Sequence, residues 1–216
     1  MADQRPEIGR RERRIGRAIN NLVARAPWLW PLVRGPVRRT FDEMAGRWDQ
    51  RTSAGSAEYL VPLATAVLHV KPAPERALDI GTGTGDGALF LAREFPHASV
   101  RGIDLSEEMI SIAQGKIGLD PQGRVAFKVA DASDLPYEDD SFDLVAQVNM
   151  PPFFAEMARV LRPGGYAIVT ASWGDETPFY TPAAVLKRGF EKHGLMTIDS
   201  GDAGAGTYYV ARCPSK

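Results

Sequence analysis

The sequence is poor in cysteine. Cys213, three residues from the carboxyl end, is the single cysteine among 216 residues. One thiol excludes an intrachain disulfide and a cysteine-rich metal site. We therefore expect a protein of a reducing, cytoplasmic compartment that binds no metal.

Long hydrophobic runs are also missing. No uninterrupted apolar stretch approaches the roughly 20 residues that a membrane-spanning helix requires. The arginine-rich stretch RRERR at residues 10–14 is not followed by the apolar segment of an export signal. We expect neither a membrane span nor export.

Charge is distributed unevenly along the chain. The whole sequence has a net charge of -1, but residues 1–40 contain ten arginines against three acids, which is +7 and leaves -8 for the remainder. The front of the chain therefore behaves as a separate electrostatic unit. We predict a front segment over residues 1–74 and a main domain over residues 75–216.

The front segment begins with a helical pattern. Between residues 9 and 26 the apolar residues recur at i, i+3 and i+4, which predicts one amphipathic helix. Three prolines follow within residues 27–36, and because proline has no amide donor, we predict an apolar elbow there instead of a regular helix. A second helix is predicted over residues 58–70.

The first helix has three possible roles. Its apolar face favours docking on its own domain, and a docked helix is compatible with a lid over a cofactor site. Its arginines leave open adhesion to an anionic membrane or to nucleic acid, which we favour less because an arginine-rich face is often only solvated.

The main domain alternates strand and helix signals. This alternation predicts an α/β fold with a doubly wound, mostly parallel sheet that binds ligands at the carboxyl ends of its strands. Strands are predicted over residues 76–80, 99–104, 125–130, 142–148, 166–171, 196–199 and 207–212. Helices are predicted over residues 85–94, 107–115, 152–161 and 182–193.

A glycine-rich loop follows the first of these strands. Gly81, Gly83 and Gly85 allow backbone amides to approach a ligand closely. A dinucleotide fingerprint needs glycine at position 86, where this chain has Asp86. Asp79 would repel a pyrophosphate but suits a ligand with an ammonium or sulfonium charge. The loop therefore favours a positively charged nucleoside cofactor over NAD or ATP.

Acids also end the next two strands. Asp104 ends the second strand, where a carboxylate accepts hydrogen bonds from ribose hydroxyls. Asp131 ends the third strand, where a carboxylate can accept a hydrogen bond from the exocyclic amine of adenine. Both positions fit a nucleoside.

Four motifs in this order resemble the class I S-adenosylmethionine-dependent methyltransferases, particularly the small-molecule enzymes of the ubiquinone and menaquinone biosynthesis type. They are LDIGTGTGDG, GIDLSEEMI, the DASDLPYEDDSFDLV stretch at residues 131–145, and RVLRPGG. The resemblance implies a seven-stranded Rossmann-like sheet with an N-terminal helical lid. It also implies S-adenosylmethionine as cofactor and in-line methyl transfer to a small-molecule acceptor.

The resemblance assigns roles to individual residues. It implies contacts with the methionine part for Asp79, Gly81, Thr82 and Gly83, with the ribose for Asp104, with the adenine for Leu105, Asp131 and Ala132, and with the methyl end for Gln147. The stretch at residues 41–49 is similar to the helix that covers the cofactor, which makes Phe41, Arg47 and Trp48 candidate lid residues.

The acceptor site is less defined. The loop NMPPF at residues 149–153 is shorter than the family's substrate-binding segment, and Met150 separates Asn149 from the two prolines, which disfavours amino methylation of a base. The loop at residues 172–180 is a candidate acceptor wall, or else it packs on the front helix. The candidate substrate residues are Asn149, Met150, Trp173 and Tyr180.

Other functions are compatible with these residues. The main alternative is a non-enzymatic cofactor-binding or interaction module that its basic front helix recruits to a partner. Aminopropyl transfer is disfavoured because no acid cluster suited to a polyamine is present. The expected partner is a small molecule, with nucleic acid disfavoured and peripheral membrane contact not favoured. No catalytic residue or oligomeric state is predicted.

Overall fold

The computed structural model describes residues 9–120 and 122–215. Within them, seven strands form one sheet: β1 Arg76–Ile80, β2 Ser99–Asp104, β3 Val125–Val129, β4 Phe142–Val148, β5 Leu161–Ala171, β6 Met196–Ala203 and β7 Gly206–Arg212. Their order is β3-β2-β1-β4-β5-β7-β6. β7 runs antiparallel to both of its neighbours, and the other pairs are parallel. The α/β, mostly parallel fold is confirmed.

Eight α-helices accompany this sheet in the described ranges. They are α1 Arg10–Arg25, α2 Trp30–Met44, α3 Trp48–Thr52, α4 Ala57–Val67, α5 Asp86–Glu94, α6 Glu107–Gly115, α7 Phe154–Val160 and α8 Ala183–Lys192. A helix that connects two parallel strands of a sheet packs on one face of that sheet.

The prediction of an apolar elbow over residues 27–36 is wrong, because this stretch is helical in the structure. A short 3-10 helix, Pro27–Leu29, is followed at once by α2, which contains two of the three prolines. Pro31 lies in the first turn, where an amide has no intrahelical acceptor. Pro36 lies inside the helix and removes a hydrogen bond there. Burial of Trp30, together with Val33 and Val37 packed on the same core cluster, offsets that loss.

The helix predicted over residues 41–49 is divided in the structure. Its first part is the end of α2, a 3-10 turn covers Ala45–Arg47, and α3 begins at Trp48. Beyond α3, Ser53 and Gly55 both have positive φ, 54° and 77°, and the chain turns into α4 there. Gly55 suits this conformation because it has no side chain.

Two apolar clusters form the core. One includes α4 and α5 side chains such as Leu63 and Leu91, and the other includes α7 and α8 side chains such as Met157 and Phe190. Val23 of α1 and Trp30 of α2 belong to the second cluster, so the front helices share a core with the sheet. A division of the chain at residue 74 stays a prediction. None of the helices in the described part is long and apolar enough to cross a membrane.

Candidate active site

The glycine loop after β1 adopts the conformation that its sequence requires. Gly81, Gly83 and Gly85 have φ values of 69°, 53° and 92°, a region that side-chain-bearing residues rarely occupy. The sulfur of Met150 fills the space that a Cβ on Gly81 would need. The loop therefore brings bare backbone to the start of α5.

A cleft of about 100 Å³ lies at this loop, and we call it the cofactor cleft. Strand ends, the glycine loop and side chains of the front helices line it. Seven of the nine residues predicted to bind the cofactor line the cleft, namely Asp79, Gly81, Thr82, Gly83, Asp104, Leu105 and Ala132. The fold thus brings together residues from the ends of β1, β2 and β3.

Asp79 is a buried acid with spare hydrogen-bonding capacity. Its carboxyl is 1% exposed and accepts a hydrogen bond of 2.6 Å from the Thr82 hydroxyl. Burial raises its pKa from 3.8 to about 7. Its Oδ1 atom is enclosed and has no hydrogen-bond partner among the described residues. An ammonium group in the cleft would satisfy this oxygen and stabilise its negative charge.

Asp104 is oriented by two backbone amides. The amides of Gly83 and Ser106 each donate to one of its carboxylate oxygens, both at 2.9 Å. Each oxygen keeps a further lone pair that can accept a hydroxyl. Burial raises the pKa of Asp104. This geometry fits a pair of ribose hydroxyls.

Asp131 and Gln147 do not line the cleft. Asp131 accepts hydrogen bonds from the Trp30 indole at 2.8 Å and from Arg34 at 2.9 Å, so it holds α2 against the end of β3. Partial burial opposes its ionisation, but the hydrogen bonds from Ser133, Arg34 and Trp30 together hold its pKa below the ordinary value. Gln147 is fully buried within β4.

A second, larger cavity adjoins the cleft, and we call it the acceptor cavity. Its volume is about 310 Å³, and most of its wall comes from α1, α2, α3 and the loop at residues 173–179. The cleft and the cavity share a wall of seven residues: Ile19, Val37, Phe41, Trp48, Tyr59, Asn149 and Phe179. Four of these side chains, Ile19, Val37, Phe41 and Phe179, are entirely apolar. A fifth, Trp48, has one polar atom, its indole nitrogen.

The predicted substrate and lid residues divide between these spaces. Asn149, Phe41 and Trp48 line both, Met150 lines the cofactor cleft and Trp173 the acceptor cavity. Tyr180 lines neither space. The Arg17 guanidinium lies over the Tyr180 ring instead, 5.2 Å from the centre of that ring. Arg47 also lies outside both.

A hydrogen-bonded group occupies the shared wall. Asn149, at a φ of 55°, donates to the Ser172 hydroxyl at 2.9 Å and accepts from the Ser172 amide at 2.7 Å. Burial raises the pKa of the nearby Tyr59 hydroxyl and outweighs the effect of the Asn149 side chain, which favours ionisation of that hydroxyl, so the Tyr59 phenol stays neutral. Sequence reasoning missed Tyr59 and Ser172, since nothing local marks a tyrosine inside an apolar helix as a site residue.

Charged residues fasten α3 beside the glycine loop. Lys116 lies 2.6 Å from Asp49 of α3 and 2.8 Å from Asp86 at the start of α5. The Thr84 hydroxyl of the glycine loop also donates to Asp49 at 2.5 Å. This cluster holds Trp48, the neighbour of Asp49, at both cavities. The sequence pattern did not indicate it, because the three charged residues are far apart in the chain.

Comparison with known proteins identifies the family. Residues 77–165 match the family model described as "Methyltransferase domain". A demethylmenaquinone methyltransferase of Deinococcus radiodurans is 32% identical over 221 residues, an alignment that covers 96% of this chain and 81% of that protein. The chain belongs to the class I S-adenosylmethionine-dependent methyltransferases of the ubiquinone/menaquinone biosynthesis type.

Two further similarities extend this result. A ubiquinone/menaquinone biosynthesis C-methyltransferase of Geotalea daltonii is 38% identical over 131 residues, which cover 56% of this methyltransferase chain and 53% of that enzyme. The chain thus spans about half the length of that relative. A crystal structure of a SAM dependent methyltransferase from Aquifex aeolicus has a TM-score of 0.62 at 18% identity, with 74% of this chain and 95% of that chain covered, and it shows the fold.

The cofactor of this methyltransferase is S-adenosylmethionine, and the residues of the cofactor cleft fit it. The enclosed, unpaired oxygen of Asp79 suits the cofactor's ammonium group, and the amide-held carboxylate of Asp104 suits its ribose. The residue contacts themselves stay predictions.

Proposed function

We propose that this methyltransferase transfers the methyl group of S-adenosylmethionine to a small, largely apolar acceptor bound in the acceptor cavity. One observation carries the proposal: an apolar cavity of about 310 Å³ shares a wall with the cofactor cleft. A cavity of this size and lining suits a compact ligand that is bound mainly by apolar contacts.

The relatives favour the same class of acceptor. The names of two of them refer to demethylmenaquinone and to ubiquinone/menaquinone biosynthesis. An apolar quinol-type acceptor would bury its ring against Phe41, Trp48 and Phe179 at the shared wall.

The side chains of the shared wall would orient the acceptor. The cofactor supplies a sulfonium-activated methyl group, so the protein has to align the acceptor atom and exclude water. Aromatic side chains exclude water at the wall. Tyr59, held neutral, would donate a hydrogen bond to a polar atom of the acceptor. No histidine lines either space.

The decisive experiment measures adenosylhomocysteine formation with a panel of acceptors. The full chain is incubated with S-adenosylmethionine and either a short-chain demethylmenaquinol, a polyamine or a single-stranded oligonucleotide. We expect saturable turnover with the quinol alone. Turnover confined to the oligonucleotide or the polyamine would contradict the apolar acceptor, and absence of adenosylhomocysteine binding by calorimetry would contradict methyl transfer altogether.

Two variants sharpen that experiment. Tyr59→Phe should lower kcat for the quinol about tenfold, the scale of one lost hydrogen bond to a reacting group, with adenosylhomocysteine affinity unchanged. Tyr208→Phe is the matched control, since Tyr208 lines neither the cofactor cleft nor the acceptor cavity. A cytoplasmic location, expected from the single cysteine, stays a prediction.

A further inference from the structure

The front of the molecule exposes large apolar side chains close to one another in the chain. Ile15 of α1 is 52% exposed, Trp28 in the short helix between α1 and α2 is 72% exposed, and Leu32 in the first turn of α2 is 75% exposed. Burial of such groups is the usual outcome in a folded protein, and grouped exposure indicates a surface that something else covers.

Exposed arginines accompany these apolar groups on both helices. On α1 the residues Arg11, Arg14, Ala18 and Arg25 are exposed on the same helical face as Ile15, and the opposite face buries Gly16, Asn20 and Val23. On α2 exposed Arg39 lies seven residues after Leu32 and therefore on the same face. We call this set of exposed residues the front surface: Arg11, Arg14, Ile15, Arg25, Trp28, Leu32 and Arg39.

The charge of the front surface selects an anionic partner. Residues 9–44 contain nine arginines and three acids, Glu12, Asp42 and Glu43, and Asp42 is paired with Arg38 at 3.9 Å. Glu12 is already paired with Arg51 of α3 at 3.0 Å. A mixture of arginine with tryptophan and leucine on the exposed faces of two consecutive helices is typical of a segment that lies in a membrane interface.

We propose that the front surface docks on an anionic lipid bilayer, with Trp28 and Leu32 inserted among the acyl chains and the arginines on the headgroup phosphates. The aliphatic groups favour a bilayer over nucleic acid, because phosphate contacts use the arginines but leave Ile15 and Leu32 in water.

The position of the acceptor cavity agrees with this orientation. Ile15 of the front surface lines that cavity, as do exposed Pro36 and Thr40 of α2, so the cavity reaches the protein surface between α1 and α2. If the proposed function holds, an apolar acceptor could enter from the bilayer without crossing water. Docking itself goes beyond that function and requires no turnover.

Vesicle cosedimentation of the full chain tests the proposal. We expect binding to vesicles with one-third phosphatidylglycerol, weak binding to pure phosphatidylcholine, and loss of binding at high salt. The double variants Trp28→Ala/Leu32→Ala and Arg14→Gln/Arg39→Gln should each weaken partitioning about tenfold or more. The controls are Leu68→Ala and Arg188→Gln, which change exposed residues outside the front surface and should leave partitioning unchanged.

Several outcomes would overturn the proposal. One is absence of binding to anionic vesicles, and another is equal loss in the control variants. Retention on single-stranded RNA that depends on the arginines, without vesicle binding, would assign the front surface to nucleic acid instead. Adenosylhomocysteine calorimetry on the same samples separates these results from a failure of the proposed function, because cofactor binding needs no membrane.

Discussion

Asp104 shows how one carboxylate links two backbone segments. It accepts hydrogen bonds from amides of the glycine loop and of the start of α6, and its remaining lone pairs are available for the ribose hydroxyls that we predict in the cofactor cleft. Its role therefore depends on geometry and on charge together.

Replacement of this residue gives the first prediction. Asp104→Ala should weaken adenosylhomocysteine binding by about 2 kcal/mol, the scale of a lost hydrogen-bond pair to a charged group. Titration calorimetry of the variant and of Asp139→Ala, which removes an exposed acid, provides the measurement and its control. Unchanged affinity in Asp104→Ala would mean that the ribose binds elsewhere.

Asp79 gives a prediction about pH. Burial raises its folded-state pKa to about 7, whereas an unfolded aspartate has a pKa of about 3.9. A raised folded pKa contributes stability that is present below pH 4 and is lost as pH rises toward 7. Asp79→Asn should therefore become more stable than the wild type, with the gap in free energy of unfolding widening by on the order of 2 kcal/mol between pH 5 and pH 8.

Urea unfolding without cofactor at both pH values measures this gap. The comparison with the asparagine variant cancels the titration of the other acids, which is common to both proteins. A gap that stays constant from pH 5 to pH 8 would show that Asp79 ionises normally in the folded protein.

At the scale of elements, α1 and α2 contain glycines in opposite environments. A Cβ on Gly16 would lie 2.5 Å from the Cβ of Pro178, so α1 touches the loop at residues 173–179 there. A Cβ on Gly35 of α2 would meet no atom within 4 Å apart from those of its chain neighbours, Arg34 and Pro36. Both glycines lie inside helices, where alanine is intrinsically better by about 1 kcal/mol.

The pair makes a matched test of helix docking. Gly35→Ala should change the stability by less than about 0.5 kcal/mol, because the gain in helix propensity is opposed by contact of the new Cβ with the ring of Pro36, the next residue. Gly16→Ala should destabilise it by about 1 to 3 kcal/mol, because the added methyl group pushes α1 away from Pro178. Denaturant unfolding monitored by circular dichroism reports both. Equal effects of the two substitutions on the free energy of unfolding would show that α1 is not held against this loop.

At the scale of the whole molecule, the front helices contribute differently to the two spaces. Ile19 is the single α1 residue in the wall of the cofactor cleft, whereas Glu12, Ile15, Gly16 and Ile19 all line the acceptor cavity. The cofactor and acceptor sites should therefore respond differently when α1 is removed.

Deletion of residues 1–26 tests this difference. We expect adenosylhomocysteine affinity to change less than about threefold, because the strand ends and the glycine loop remain, while methyl transfer to the short-chain quinol is lost with the acceptor cavity wall. Calorimetry and an adenosylhomocysteine assay measure the two effects, and retained cofactor binding also shows that the shortened chain folds. A large loss of cofactor affinity would instead make α1 part of the cofactor lid.

The sequence by itself determined the sheet and the cofactor. The strands could be predicted because each is a local pattern, an apolar run bounded by turn residues. The glycine loop could be predicted because glycines at this spacing allow positive φ and a close approach of the backbone to a ligand. The acids at Asp79 and Asp104 could be placed because parallel strands bring their carboxyl ends to one edge. The four sequence motifs then indicate the methyltransferase family.

Tertiary structure alone decided the path of the front helices and the acceptor cavity. Local rules predicted that three prolines would interrupt residues 27–36, but burial of Trp30 and its hydrogen bond to Asp131, 101 residues away, stabilise α2 across Pro36. The Lys116 cluster and the Tyr59, Asn149 and Ser172 group likewise join residues that are distant in sequence. Such contacts have no local signature, because they depend on where the chain returns after folding.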